Sequence, residues 1–284
     1  MKARELYNML LNDFINENMK DDDWAAKMPN LDKYLFPEFK VNSGMGLMCD
    51  FTNEIKKVYT TVFLSEKVLS SILRNNISNA VIFSHHPTNW DLCNHSGYYP
   101  VEESYISKLK ERNISIYILH YPLDNYSKYS TCGTLANKLM IKIEKPVFLY
   151  YNSACGVIGT TDCKNINELR ERYSQAVGHE TSLYLYGHEN IEGEKVAVFP
   201  GAENSISVID EMLMNNVKIL ITGVTLVNKW SKGTHEYEKN KCINLLGGTH
   251  YSSEKFALME ICKYFNDLGL QSEFINDEPN LFDL

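Results

Sequence analysis

Two histidines stand directly after an apolar run in Val81-Ile82-Phe83-Ser84-His85-His86-Pro87. Imidazole is the commonest neutral ligand for zinc, iron or nickel, and open α/β sheets bind ligands outside the carboxyl ends of their strands. Taken alone, the doublet reads equally as two rings satisfied by backbone. A second group, Gly247-Gly248-Thr249-His250-Tyr251-Ser252-Ser253-Glu254, precedes a strongly amphipathic run. If a helix has begun by Tyr251, His250 and Glu254 are i, i+4 neighbours that can present two ligands to one cation. The plain alternative is a helix start with Ser252 or Ser253 as N-cap and Glu254 beside the positive end of the dipole. The third, His120-Tyr121-Pro122-Leu123-Asp124, offers a carboxylate that could bridge two cations, or an ordinary turn built on Pro and Asp. Three separate segments that each bring metal ligands to the same kind of position favour a metal site over three unrelated turns.

Such residues need a scaffold, and the flanking pattern supplies one. Strand-like runs at 57–64, 81–84 and 114–119 alternate with helical faces made by Val68, Leu69, Ile72 and Leu73, then by Ile106 and Leu109. The second half repeats this grammar, with strands at 147–151, 183–186, 195–199, 217–222 and 272–275. Its helices run over 166–177, 206–213 and 235–245, with a last one marked by Leu258, Ile261, Cys262 and Phe265. The fold class is therefore α/β. The strand ending near Phe63, its helix and the strand ending at Ser84 correspond to Phe199, its helix and Thr222, which points to a duplicated unit unless any two βαβ units look this alike. No low-complexity linker separates the halves, so two closely packed lobes are expected rather than independent domains.

Composition narrows the function classes. With 284 residues, 44% hydrophobic and 23% charged, the chain is ordinary globular material. A formal net charge of −8 without any Lys/Arg block argues against a sequence-independent nucleic-acid surface. Seven cysteines without a CxxC pair read as reduced thiols, and Cys155 as a buried structural one. Leu6, Met9, Leu10 and Phe14 mark an amphipathic first helix, not the apolar core of a signal peptide, and no apolar run is long enough to span a membrane, so the expected location is the cytoplasm. Phosphate-loop, dinucleotide, nucleophile-elbow and HExxH motifs are absent. The 18 tyrosines are expected to pack with their hydroxyls at the rim, and Trp90 either lines a pocket mouth or simply packs.

The three metal motifs, in this order, resemble those of the Nif-three-like dinuclear metal-centre proteins, also known as type 2 GTP cyclohydrolase I. The resemblance covers nearly the whole chain. It rests on the strand with His85-His86-Pro87, on the His-x-x-x-Asp segment from His120 to Asp124, and on Gly248-Thr249-His250 with Glu254, one residue longer than the family's Gly-His-x-x-x-Glu. Pro200-Gly201-Ala202 is similar to a glycine-containing turn of the family, and Glu273-Phe274-Ile275-Asn276 to its tail. One departure is Thr222-Gly223-Val224, where the family usually carries an acidic residue after the glycine.

The resemblance implies two α/β lobes, approximately 1–143 with 250–284 and 144–249, with a metal site between them. It implies His85, His86, Asp124, His250 and Glu254 as ligands of two divalent ions per chain (Zn, Fe, Mn, Co or Ni), with Asp124 or Glu254 bridging. His120 would either stand behind the ligands or face the substrate, and His235 would match a pocket histidine of some members, both serving as catalytic proton carriers. It also implies a homohexameric toroid and a metal-dependent hydrolase, acting on a nucleotide as in GTP cyclohydrolase 1 type 2 or as a phosphoesterase. The alternatives are a non-catalytic metal-binding protein or a regulatory interaction protein. Loss of the acidic residue at Val224 bears on the substrate, not on the metals.

Overall fold

The structure, a computed structural model, describes residues 1–42, 44–202 and 205–284. In chain order its elements begin with α1 (Ala3–Phe14), α2 (Pro37–Val41), β1 (Gly46–Cys49), β2 (Lys57–Thr61), α3 (Glu66–Arg74), β3 (Ala80–Ser84), β4 (Asn89–Asp91), β5 (Gly97–Tyr99), α4 (Glu103–Glu111), β6 (Ile114–Ile118) and α5 (Tyr121–Asp124). There follow α6 (Thr131–Lys138), β7 (Lys142–Tyr150), β8 (Ser153–Thr160), α7 (Ile166–Val177), β9 (Ser182–Tyr184), β10 (Lys195–Phe199) and α8 (Ile206–Met214). The last are β11 (Ile219–Thr222), α9 (Lys232–Lys241), β12 (Asn244–Gly247), α10 (His250–Glu260), α11 (Cys262–Asp267) and β13 (Gln271–Phe274).

The chain divides into two compact units. The first is Met1–Leu123 with Tyr151–Ser153 and Leu258–Glu278; the second is Asp124–Tyr150 with Ala154–Ala257 and Pro279–Leu284. Residues 124–143 therefore group with the second unit, as do 250–257 and 279–284.

In the first unit the strand order is β1-β6-β3-β2-β13, parallel from β6 to β13 with β1 antiparallel at the edge. Every residue of β3 and β6 is buried, and the polar residue inside β6, Ser115, accepts from the Phe51 and Thr52 amides. Helix α3 starts where the Ser65 hydroxyl accepts from the Val68 amide at 3.2 Å, and it buries Val68, Leu69 and Ile72, each worth about 1.5–3 kcal/mol. Trp24, Phe39, Tyr59, Ile82 and Ile116 belong to the same core.

In the second unit the order is β7-β8-β10-β11-β12-β9, with β10, β11 and β12 parallel and antiparallel neighbours β8 and β9 on either side. Helix α7 is delimited chemically. The Asn165 side chain accepts from the Glu168 amide at 3.0 Å, the Glu168 carboxylate accepts from the Lys164 amide at 2.8 Å, and Gly178 ends the helix at φ +87°. The core here includes Leu135, Val157, Tyr173, Val198 and Ile221.

Both units thus contain a β-α-β-α-β run of parallel strands, β2-α3-β3-α4-β6 and β10-α8-β11-α9-β12, with first helices of nine residues each. Five strands, β1, β4, β5, β8 and β12, lie outside the sequence reading. β8 has its β-branched residues, Val157, Ile158 and Thr160, interrupted by Gly156 and Gly159, and Gly156 is placed where a Cβ would be 2.2 Å from the Phe148 ring. β1 is four residues long. The helix expected over 235–245 ends at Lys241, because Cys242 turns into the left-handed region (φ +56°) and β12 begins at Asn244. Short apolar runs such as Ile243 to Leu246 carry no period that separates strand from helix. Tyr173 also departs from expectation: its hydroxyl is fully buried and donates to the Thr222 carbonyl at 2.8 Å. Among the described residues no helix is long and apolar enough to cross a membrane.

Candidate metal centre

The first donor set sits at the carboxyl ends of β3 and β6, which are parallel neighbours. Beyond Ser84 the backbone still pairs across to the preceding strand, with the His85 amide donating to Thr61 O (3.1 Å) and the His86 amide to Val62 O (2.8 Å). This pairing fixes both histidines before Pro87 ends it. His85, His86 and His120 each offer a ring nitrogen, and these lie within 4.8 Å of one another; all three residues are buried. The His85 Nδ1 is 2.9 Å from the Leu119 carbonyl, so Nδ1 carries the proton and the Nε2 lone pair is the donor. The His86 ring stacks on Phe63 at 4.6 Å and meets Tyr98 at 5.2 Å and Trp24 at 6.1 Å. Trp90 joins this wall through Tyr98, 4.8 Å away on the β4–β5 hairpin.

Two residues missed in the sequence complete this set. Asp21 is buried and accepts from His120 Nδ1 at 2.7 Å, and Trp24 Nε1 donates to the same carboxylate oxygen at 2.9 Å. The run Asp21-Asp22-Asp23 reads as a solvated acidic loop, and only the following Trp24, which must be buried somewhere, hints otherwise.

The second unit holds the other donors. Helix α10 begins at His250, and His250 Nε2 is 3.1 Å from Glu254 Oε1, which confirms the i, i+4 geometry. The helix start is capped by Thr249, not by Ser252 or Ser253: its hydroxyl accepts from the Ser252 amide at 3.2 Å. The His250 amide donates to Asp283 Oδ2 at 2.9 Å, and Asp283 O accepts from Thr225 and Leu226. Space for the pair is made by Gly201, at φ +83°, where a Cβ would lie 2.5 Å from Glu254 Oε1 and 3.4 Å from His250 Nε2. The Gly201 amide donates to Ser253 Oγ, which donates onward to His250 O, both at 2.9 Å. Asp124, at the end of α5, accepts from Thr131 Oγ1 at 2.5 Å.

His235 lies in a different set of contacts. Its Nδ1 is 3.1 Å from the Tyr186 hydroxyl oxygen and 3.5 Å from the buried Glu238, and Tyr184 packs on the ring at 4.8 Å. Burial lowers its pKa from the usual histidine value, with the Thr225 backbone opposing. Cys155 is buried, and burial pushes the Cys132 thiol up to about 12, as befits structural thiols. A cleft of about 790 Å³ in the first unit lies among α1, α2 and β1, with Tyr7, Phe36 and Tyr117 in its walls and none of the histidines or carboxylates above.

An α/β protein with imidazoles and carboxylates at strand and helix ends is a candidate metal-binding protein. The Duf34/NIF3 (NGG1p interacting factor 3) family profile matches residues 33–280, and the chain belongs to that family. It is 22% identical over 265 residues to a GTP cyclohydrolase 1 type 2 homolog of Buchnera aphidicola subsp. Schizaphis graminum, covering 92% of this chain and 93% of that protein. A Borreliella burgdorferi protein of the same name is 25% identical over 216 residues, 74% of this chain and 80% of the other. Among solved structures, protein ybgI, described as of unknown function, matches with a TM-score of 0.75 at 19% identity, covering 99% of this chain and all of that one. Reduced HcgD from Methanocaldococcus jannaschii matches with a TM-score of 0.68 at 20% identity over 98% of each chain. At these identities the structural matches establish the fold.

Proposed function

We propose that His85, His86, Asp124, His250 and Glu254 hold two divalent cations and that the protein is a hydrolase acting on a nucleotide, in the manner the name GTP cyclohydrolase 1 type 2 homolog describes for its relatives. The observation that carries this reading is the convergence of three buried imidazoles, their ring nitrogens within 4.8 Å of one another, at the ends of two adjacent parallel strands. The donor chemistry fits: neutral imidazoles and carboxylates suit Zn, Fe, Mn, Co and Ni alike. A glycine cradle beside Glu254 keeps that carboxylate clear of backbone. When bound, a cation pair supplies polarisation of a substrate oxygen and an activated water near neutral pH.

The chain's own residues do the rest. His120, beside the doublet, moves the proton, and the wall of Phe63, Trp24 and Tyr98 excludes solvent from the imidazoles. His235 is the second proton carrier in this reading, held by Tyr186. The hexamer that the resemblance implies is the proposed assembly. Elemental analysis of gently purified protein is expected to give about two divalent ions per chain, with GTP turned over by the loaded form. Tight saturation at one ion, unchanged in Asp124→Ala, sinks the dinuclear reading.

A further inference from the structure

We propose that Asp21 is a positioning residue for His120: it holds the imidazole in one tautomer, with the proton on Nδ1 and the Nε2 lone pair turned to the side on which His85 and His86 present their rings. The inference rests on the metal reading only for what that lone pair faces; the positioning itself is a property of the first unit.

The hydrogen-bond directions fix the tautomer. Asp21 Oδ1 accepts from the Asp22 amide (2.7 Å) and from the Trp24 indole (2.9 Å), and Oδ2 accepts from the Tyr121 amide (3.1 Å). Amide and indole N–H groups are donors only, so both carboxylate oxygens act as acceptors here. The fourth contact, His120 Nδ1 to Oδ1 at 2.7 Å, therefore has the ring as donor. A neutral ring that donates from Nδ1 has its lone pair on Nε2. His85 is set the same way by a different acceptor, the Leu119 carbonyl. The ring is also clamped in orientation, with Trp24 at 5.2 Å on one side and Tyr121 at 4.4 Å on another, while the His85 and His86 rings lie 5.0 and 4.7 Å away.

Folding alone does not call for this arrangement. A buried carboxylate needs donors, and Asp21 already has three from backbone and indole; the bond to His120 adds direction to a ring that faces two other imidazoles. An acceptor behind an imidazole fixes which ring nitrogen carries the proton, and a ring that is to move a proton on its other side needs that nitrogen settled.

The test uses full-length, metal-free protein labelled with 15N-histidine, examined by long-range 1H–15N correlation near about pH 8, above the ordinary histidine value of ~6.5. His120 is expected to show one tautomer with Nδ1 protonated. In Asp21→Asn the ring is expected to populate the Nε2–H form. A wild-type His120 protonated on Nε2 overturns the proposal without any variant, so a poorly folding Asp21→Asn does not protect it. An unchanged tautomer in a folded Asp21→Asn overturns it equally. If the wild type binds no zinc while the tautomer responds to Asp21→Asn, the metal reading fails and the positioning stands.

Discussion

The two β-α-β-α-β runs spend the same three strand ends differently. After its first strand the early run places Phe63, stacked on His86, whereas the later one places Gly201, which leaves room for Glu254. The second strand ends in His85-His86 in one case and in Gly223-Val224 in the other. Beyond the third strand stands His120 in the early run, and a Gly-Gly-Thr turn into the helix that carries His250 in the later one. One unit brings donors on strand ends and walls them with aromatics; the other brings them on a helix and clears space with glycine. Rigid backbone pairing positions the first set, and the helical repeat positions the second.

Gly201→Ala is the change with the largest expected effect on this contrast. A methyl group there meets Glu254 Oε1 at 2.5 Å, and φ of +83° adds about 1–2 kcal/mol for an L-residue. The midpoint of chemical denaturation is expected to fall accordingly, together with metal content. A variant with normal stability and full metal would show that clearance by glycine is not what the helix-borne pair needs.

Glu254→Gln sharpens the difference between holding a cation and holding a fold. Glutamine keeps an acceptor for His250 Nε2 but loses the charge, so metal occupancy is expected to drop sharply. The metal-free protein is expected to shift by no more than about 2 kcal/mol, the upper scale for a buried carboxylate in the helix dipole. Measuring both on one preparation decides it, and unchanged metal content removes Glu254 from the site.

The smallest effect belongs to His179, a histidine of the second unit outside the donor set. Its Nε2 is 2.8 Å from Ser252 Oγ and its Nδ1 2.7 Å from the Glu180 carbonyl. Burial lowers its pKa below 6.5, reinforced by the Lys255 charge and opposed by the Glu180 backbone. Its contribution is thus fully present above pH 6.5 and is lost as pH falls from there through the lower folded value, because the unfolded chain takes up the proton first. In thermal melts of metal-free protein His179→Gln is expected to flatten stability between those limits. An unaltered slope would mean that the ring is not held neutral by its surroundings.

How much of this was legible in the sequence follows the same division. His85 and His86 could be read because a fully apolar strand and a proline bracket them, and the parallel sheet puts strand ends to use. His250 and Glu254 were readable from their spacing once a helix was inferred. Asp21 was not, since its partners are 99 residues away in His120 and three away in Trp24, and no local period joins them. Gly201 was noticed only through the resemblance; its reason, the Glu254 carboxylate, is a contact across more than fifty residues of chain and has no sequence signature. β8 and β12 were hidden by glycine content and by shortness.

Thr249 sits at φ +65°, a conformation rare for a β-branched residue and worth about 1–3 kcal/mol of local strain. It is also the residue that separates Gly248 from His250 in the turn. The strain is confined to that turn, while the distance from His250 to Glu254 is dictated by the helix itself. A change of length before this helix would therefore cost strain alone and leave that distance unaltered. The strand-borne histidines have no such freedom, because a slip of one residue there would turn His85 and His86 to opposite faces of the sheet.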